Sequence, residues 1–257
     1  MSAPRAAEPH PFVEPEPGWR APAGVLPPDA LVLAIDTSTR AGGVALCRGP
    51  AVVGEDTWLA AGGQTTQVLP AAARLCARAG AAPRDLSVIV VATGPGSFTG
   101  LRVGVSLGKG FAVALGIPLI GVATLDALAY QHRDGGPHVC AVVEAGRGQL
   151  YVGTYRRSAG RLRRAGDFQV WSAEELAAGL AGARHAWFVA GEIDAAMEAA
   201  LAHALGGRVR IASPAARLRR PAYLAELGLW HLARDGRADA AALQPIYLRR
   251  APAAAAS

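Results

Sequence analysis

Lysine is nearly missing from this chain of 257 residues: Lys109 is the only one, and arginine carries the rest of a formal net charge of +6. Cysteine is scarce as well. Cys47, Cys76 and Cys140 are odd in number, far apart and in no CxxC pair. That excludes a disulfide framework and a zinc knuckle, and fits a reducing cytoplasm. No apolar run reaches the roughly 18 to 20 uninterrupted residues of a membrane span, and the N-terminus lacks the compact apolar stretch of a secretion signal. No two histidines stand at helical metal-ligand spacing, and no GxSxG elbow or Ser/His/Asp set is visible. Metal and nucleophilic chemistry therefore have no sequence support.

What the chain does have is alanine, glycine and apolar residues, the apolar set making up 51%. That composition predicts a globular fold large enough to bury a core. The pI near 9.8 raises the question of nucleic acid. Arg156–Arg157, Arg161, Arg163 and Arg164, Arg217, Arg219 and Arg220, and Arg249–Arg250 are arginine clusters able to meet phosphates. They read equally as solvated arginines on loop and helix faces, since no aromatic interleaving accompanies them.

Residues 1–29 hold eight of the eighteen prolines and no periodic pattern, the mark of a mobile tail; residues 251–257 read as a second, shorter one. Order begins at "LVLAIDTSTRAGGVALCRG", where Leu31 to Ile35 is a buried strand, Asp36 closes it and a return strand follows. A helix is expected around Leu69, Ala72, Ala73 and Cys76, which share one face and end at Gly80. Leu86 to Ala92 is a second buried strand, a long helix runs to about Leu115, and Thr124 is placed as the N-cap of another. Then "HVCAVVEAGRGQLYVGTY" repeats the outline of the first strand pair, with Glu144 where Asp36 stood. This is an internal duplication offset by about 108 residues. Two related α/β lobes follow, residues 30–135 and 136–250, each a strand meander with helices. Whether the helix at 222–234 packs back on the first lobe is left open.

The segment "GPGSFTGLRVGVSLGKG" resists a phosphate-loop reading. Three residues, not four, separate Gly104 from Gly108, and no Ser or Thr follows Lys109. Gly100, Gly104 and Gly108 recur every four residues and form one ridge of the helix. Each costs roughly 1 kcal/mol against alanine, so a close approach must offset them. The approaching surface is either this chain's own core or a second protein. Leu101, Val105 and Ala112 form one apolar row, and Val103, Leu107, Phe111 and Ala114 another. Asp36 and Glu144 are candidate cation- or phosphate-binding acids, with Thr37, Ser38 and Thr39 able to cradle an oxyanion. The competing reading is turn-forming acids that bond neighbouring N–H groups.

The segments "LAIDTSTRAGGVAL", "QTTQVLP", "GPGSFTGLRVGVSLGKGFAVALGIPLIGVATLDALA", "VEAGRGQLYVGTY" and "QPIYLR" resemble, in that order, the TsaB (YeaZ) family over about residues 31–250. The resemblance implies the actin/Hsp70/sugar-kinase (ASKHA) superfamily fold of two related lobes. It implies a non-catalytic subunit that heterodimerises with TsaD, the enzyme transferring threonylcarbamoyl to adenosine 37 of tRNAs that read codons beginning with A; the ATPase TsaE would join the pair. It also implies a cytoplasmic protein with no metal or cofactor of its own, with ATP or ADP at the joint interface, homodimers when the partner is absent, and tRNA met through the complex. Asp36, Thr37 and Ser38 would be the remnant nucleotide corner. Leu69, Ala73, Cys76, Gly100, Leu101, Gly104, Val105, Gly108 and Phe111 would form the partner interface. Two features depart from the family pattern: Gln64 stands where many members keep a histidine, and "EAGRG" replaces an Asp-Ala-Arg turn. An alternative is a nucleotide-binding ATPase or phosphotransferase of the same superfamily, using Asp36 and Glu144. A peptidase reading, from an old label of the wider family, finds neither metal pair nor triad.

Overall fold

Every residue of Leu31–Asp36 (β1) is buried, and its side chains divide by parity as a strand requires. Leu31, Leu33 and Ile35 enter one apolar cluster, Val32 and Ala34 another. The unbroken apolar run thus reflects a strand covered on both faces. The computed structural model describes residues 12–16, 26–59, 65–236 and 240–248.

Ala41–Arg48 (β2) and Ala51–Leu59 (β3) complete an antiparallel meander with β1, and Leu86–Gly94 (β4) and Leu119–Ala123 (β5) extend it in parallel. The sheet order is β3-β2-β1-β4-β5. Thr65–Arg78 (α1) and Phe98–Leu115 (α2) cover one face, and Thr124–Gln131 (α3) lies on the other. The second sheet repeats the plan. His138–Gly146 (β6), Gln149–Ser158 (β7) and Arg161–Arg164 (β8) form its meander; Gln169–Ser172 (β9) pairs with β7; Trp187–Gly191 (β10) and Val209–Ile211 (β11) add the parallel side. Ala173–Ala181 (α4) and Ala195–Leu205 (α5) cover its outer face. A short turn of helix, Pro214–Arg217 (α6), precedes Pro221–Asp235 (α7).

The layers run α1/α2, first sheet, α3/α7, second sheet, α4/α5, with three apolar clusters between them. The middle cluster draws on both sheets: Val90 and Val122 from the first, Ala141 and Tyr155 from the second, with Leu128 and Leu227 from the helices between. Helix α7, whose place the sequence left open, packs on the first sheet, with Gly228 set against Val90. The segment 240–248 also returns to the first lobe. Leu243 meets Gly121, the Ile246 N–H donates to the Thr93 carbonyl at 2.7 Å, and Lys109 Nζ donates to the Ala241 carbonyl at 3.0 Å.

Two local expectations are corrected. Residues 12–16, read as part of a mobile tail, pack on the second lobe. Phe12 is buried edge-on to Tyr155, and Glu14 pairs with Arg157 at 3.1 Å. Thr124 is not an N-cap: Ala123 occupies that position, and the Thr124 hydroxyl is buried without a hydrogen-bond partner. Strands β8, β9 and β11, only three or four residues long, carry too little pattern to be read in advance. Ser97 accepts from the Gly100 N–H at 3.3 Å and caps α2. By length and composition α2 could cross a membrane; here its glycine face is built into the first lobe.

Candidate functional site

Asp36 ends β1 and is buried. Its Oδ1 accepts the Ser38 N–H at 2.9 Å and the Ser38 hydroxyl at 2.5 Å, and its Oδ2 accepts Arg219 Nε at 2.8 Å. The Arg219 guanidinium also donates to Thr39 Oγ1 at 2.8 Å, to the Ala41 carbonyl at 2.6 Å and to Glu192 Oε1 at 3.2 Å. Burial alone would raise the Asp36 carboxyl; the charge of Arg219, with hydrogen bonds from Arg219 and Ser38, holds it below its ordinary value. The corner is therefore an internal ion-pair network. Thr37 adds to it by donating its hydroxyl to the Gly100 carbonyl at 2.7 Å. The fold brings Asp36, Thr37 and Ser38 together, but their side-chain oxygens are engaged by protein groups. Arg219 was visible in the sequence only as part of an arginine run before Pro221, and Glu192 carried no signal.

The glycine ridge explains how the corner closes. A Cβ at Gly100 would lie 2.0 Å from the Thr37 carbonyl oxygen, and one at Gly104 would lie 2.4 Å from Thr37 Oγ1; at Gly108 the nearest atom, Val91 Cγ1, would be at 2.6 Å. The close approach that offsets these glycines is made by β1, its turn and β4. This corrects the interface assignment: Gly100, Leu101, Gly104, Val105 and Gly108 are buried in their own lobe, as is Cys76 of α1.

Glu144 does not join Asp36. It is exposed at the end of β6, 3.9 Å from Arg40, and its N–H donates to Glu192 Oε2 at 2.8 Å. Between the lobes lies a cavity of about 590 Å³. Its walls include Arg40, Phe98, Glu144, Tyr151, Glu192 and Tyr247. A further buried acid, Asp126 of α3, joins the two lobes instead of lining the cavity. It accepts the Tyr155 hydroxyl at 2.8 Å and lies 3.5 Å from Arg164. Burial outweighs both partners and raises its carboxyl to about 6.

The outward side of α1 and α2 is different in kind. Leu69 and Ala73 are exposed, and Leu107 and Phe111 are half-buried. An apolar groove of about 390 Å³ runs between the helices, lined by Leu69, Leu107, Phe111, Ala114 and Leu115. Val113, 82% exposed, stands on the same helix. Of the interface residues expected from sequence, Leu69, Ala73 and Phe111 are accessible, beside Leu107 and Ala114 of the second apolar row. Gln64 lies outside the described residues.

Comparison with known proteins places this geometry. The family model described as "TsaD: tRNA N6-adenosine threonylcarbamoyltransferase" matches residues 59–253. The tRNA threonylcarbamoyladenosine biosynthesis protein TsaB of Bacillus subtilis is 36% identical over 225 residues, 87% of this chain and 96% of the relative. The chain belongs to the TsaB family. The solved structure of YeaZ from Pseudomonas aeruginosa superposes with a TM-score of 0.70 at 28% identity, covering 85% of this chain and all of that one. A ROK hexokinase from Thermus thermophilus, 12% identical, shares the fold with a TM-score of 0.50 over 79% of this chain and 99% of the kinase. The two-lobed fold of this TsaB-family chain is thus the ASKHA fold.

Proposed function

We propose that this chain is a docking subunit without chemistry of its own, acting in the biosynthesis of threonylcarbamoyladenosine in tRNA as the partner of a TsaD-type transferase. The observation that carries the reading is the apolar groove between α1 and α2. Leucine and phenylalanine side chains are left open there along two packed helices, the arrangement by which a second helical pair is recognised. An interface of standard size buries roughly 1,600 Å², within reach of two helices of this length. In the absence of the partner, the same groove would pair two copies of this chain. TsaE joins the pair in this scheme, ATP or ADP sits at the joint interface, and tRNA is met through the assembly.

The second reading is a phosphotransferase using Mg-ATP at Asp36. Against it stands the occupation of Asp36 by Arg219, and of the first turn by the α2 glycine face. Binding of Mg-ATP to the isolated chain, measured by calorimetry and lost in Asp36→Ala, would favour that reading over ours. The direct test of the docking function is co-purification with TsaD and TsaE, followed by assay of modified tRNA with this chain omitted. We expect a stable TsaD complex and a loss of modification on omission. Full modification without this chain would overturn the assignment.

A further inference from the structure

The mouth of the interlobe cavity carries side chains that the docking function does not use. Phe98, at the start of α2, and Tyr247, on the C-terminal segment, are 54% and 46% exposed, with ring centres 5.2 Å apart. Tyr151 of β7 belongs to the same wall. Three arginines on three separate elements adjoin this wall: Arg40 lines it, Arg102 touches Phe98, and Arg147 follows the lining residue Gly146 in the chain. Arg102, one turn into α2, lies over Phe98 with its guanidinium carbon 3.9 Å from the ring centre, and its Nε donates to the Tyr247 hydroxyl at 3.3 Å. Arg40, on the turn between β1 and β2, has a side chain 81% exposed. Arg147, at the tip of the turn between β6 and β7, is exposed and held in a left-handed backbone with φ 54°.

Two large rings left in water beside three cations form a defined combination. Aromatic faces take up unstacked bases, guanidinium groups meet the phosphates between them, and both tolerate any sequence. We infer that this mouth binds an unpaired stretch of RNA, with a base stacked against Phe98 and Tyr247 and the flanking phosphates met by Arg40, Arg102 and Arg147. The cavity behind has room for a nucleobase, and the exposed Glu144 carboxylate there can accept from an exocyclic amine. A free triphosphate fits the walls less well, because Glu144 and Glu192 both line them. Duplex RNA keeps its bases stacked inside the helix, out of reach of the rings. The choice of RNA rests on the proposed place of this chain in tRNA modification; the stacking site itself does not. Sequence reading missed the site because its residues lie at positions 40, 98, 102, 147, 151 and 247 and meet only after folding.

The test is fluorescence anisotropy of the full chain with a labelled oligoadenylate across a salt series. Three phosphate contacts predict a fall of log affinity with log salt of slope about −2 for a single strand. Phe98→Ala and Tyr247→Ala should each weaken binding roughly tenfold with the slope unchanged, and Phe98→Leu, which keeps apolar bulk, should weaken it too. The triple variant Arg40→Ala, Arg102→Ala, Arg147→Ala should flatten the slope. The inference is overturned by no measurable binding, by binding that ignores the Phe98 and Tyr247 variants, or by equal competition from duplex RNA or polyglutamate. Capture of TsaD by the same variants separates the two ideas. Retained capture with lost oligoadenylate binding supports the RNA site. Oligoadenylate binding by a chain that captures no TsaD would sink the docking function and leave the RNA site standing.

Discussion

Arg219 Nε stands 2.8 Å from Asp36 Oδ2, although the two residues are 183 positions apart. The same guanidinium reaches Glu192 at the end of β10, so one side chain fastens the ends of two strands belonging to different lobes. Replacing it by Arg219→Met would leave the Asp36 carboxylate buried and unpaired. Breaking a pair of this kind costs about 3–5 kcal/mol, to be read as a lower urea midpoint. The double variant Asp36→Asn, Arg219→Met should recover much of the loss, because no charge is then stranded. Asp36 titrates below its ordinary 3.8, so its contribution is complete above that pH and is lost as the solution is acidified through its folded value. A single variant within about 1 kcal/mol of the parent would contradict the account.

Asp126 behaves with the opposite sign. Its folded value near 6 lies above the ordinary 3.8, so the folded protein takes up a proton that the unfolded chain does not yet hold. Lowering the pH from 7 to 5 should therefore add about 1 kcal/mol through this group. The measurable quantity is the difference in unfolding free energy between the parent and Asp126→Asn across that range, which cancels the histidines common to both. Parallel curves would show that Asp126 is charged throughout.

The glycines of α2 divide into two kinds. Gly100→Ala would drive a methyl to 2.0 Å from a backbone oxygen that cannot move aside, an overpacking cost of about 1–3 kcal/mol or more. Gly110, on the exposed side, has nothing within 4 Å of a new Cβ. Gly110→Ala should raise stability by about 0.5–1 kcal/mol through helix propensity. Thermal melting of both variants checks the pair. Equal effects would mean that the ridge is not the packing surface.

Leu107→Asp and Phe111→Asp place a charge in the groove while leaving the buried glycine face alone. Both should stay folded by circular dichroism and lose TsaD capture by roughly thirtyfold or more, the scale of an interface hot spot. Undiminished capture by both would move the docking surface elsewhere.

The structure shows where the sequence was a good guide. β1, β4 and β6 were legible because strands covered on both faces are written as continuous apolar runs. The duplication was legible because the meander returns with an acid at the same point. The glycine ridge was legible as a close approach, but periodicity cannot say what approaches; only the position of Thr37 decides that Gly100 and Gly104 face inward. Arg219 was out of reach for another reason. An ion pair spanning most of the chain leaves no local pattern, and neither does the order contributed by Phe12, which depends on Tyr155 far downstream.

The cluster that α3 and α7 build between the sheets belongs to neither half of the duplicated chain. Each half alone would expose that surface to water, so the halves have forfeited independence. Heating should yield a single calorimetric endotherm, and the halves expressed separately should remain molten until mixed.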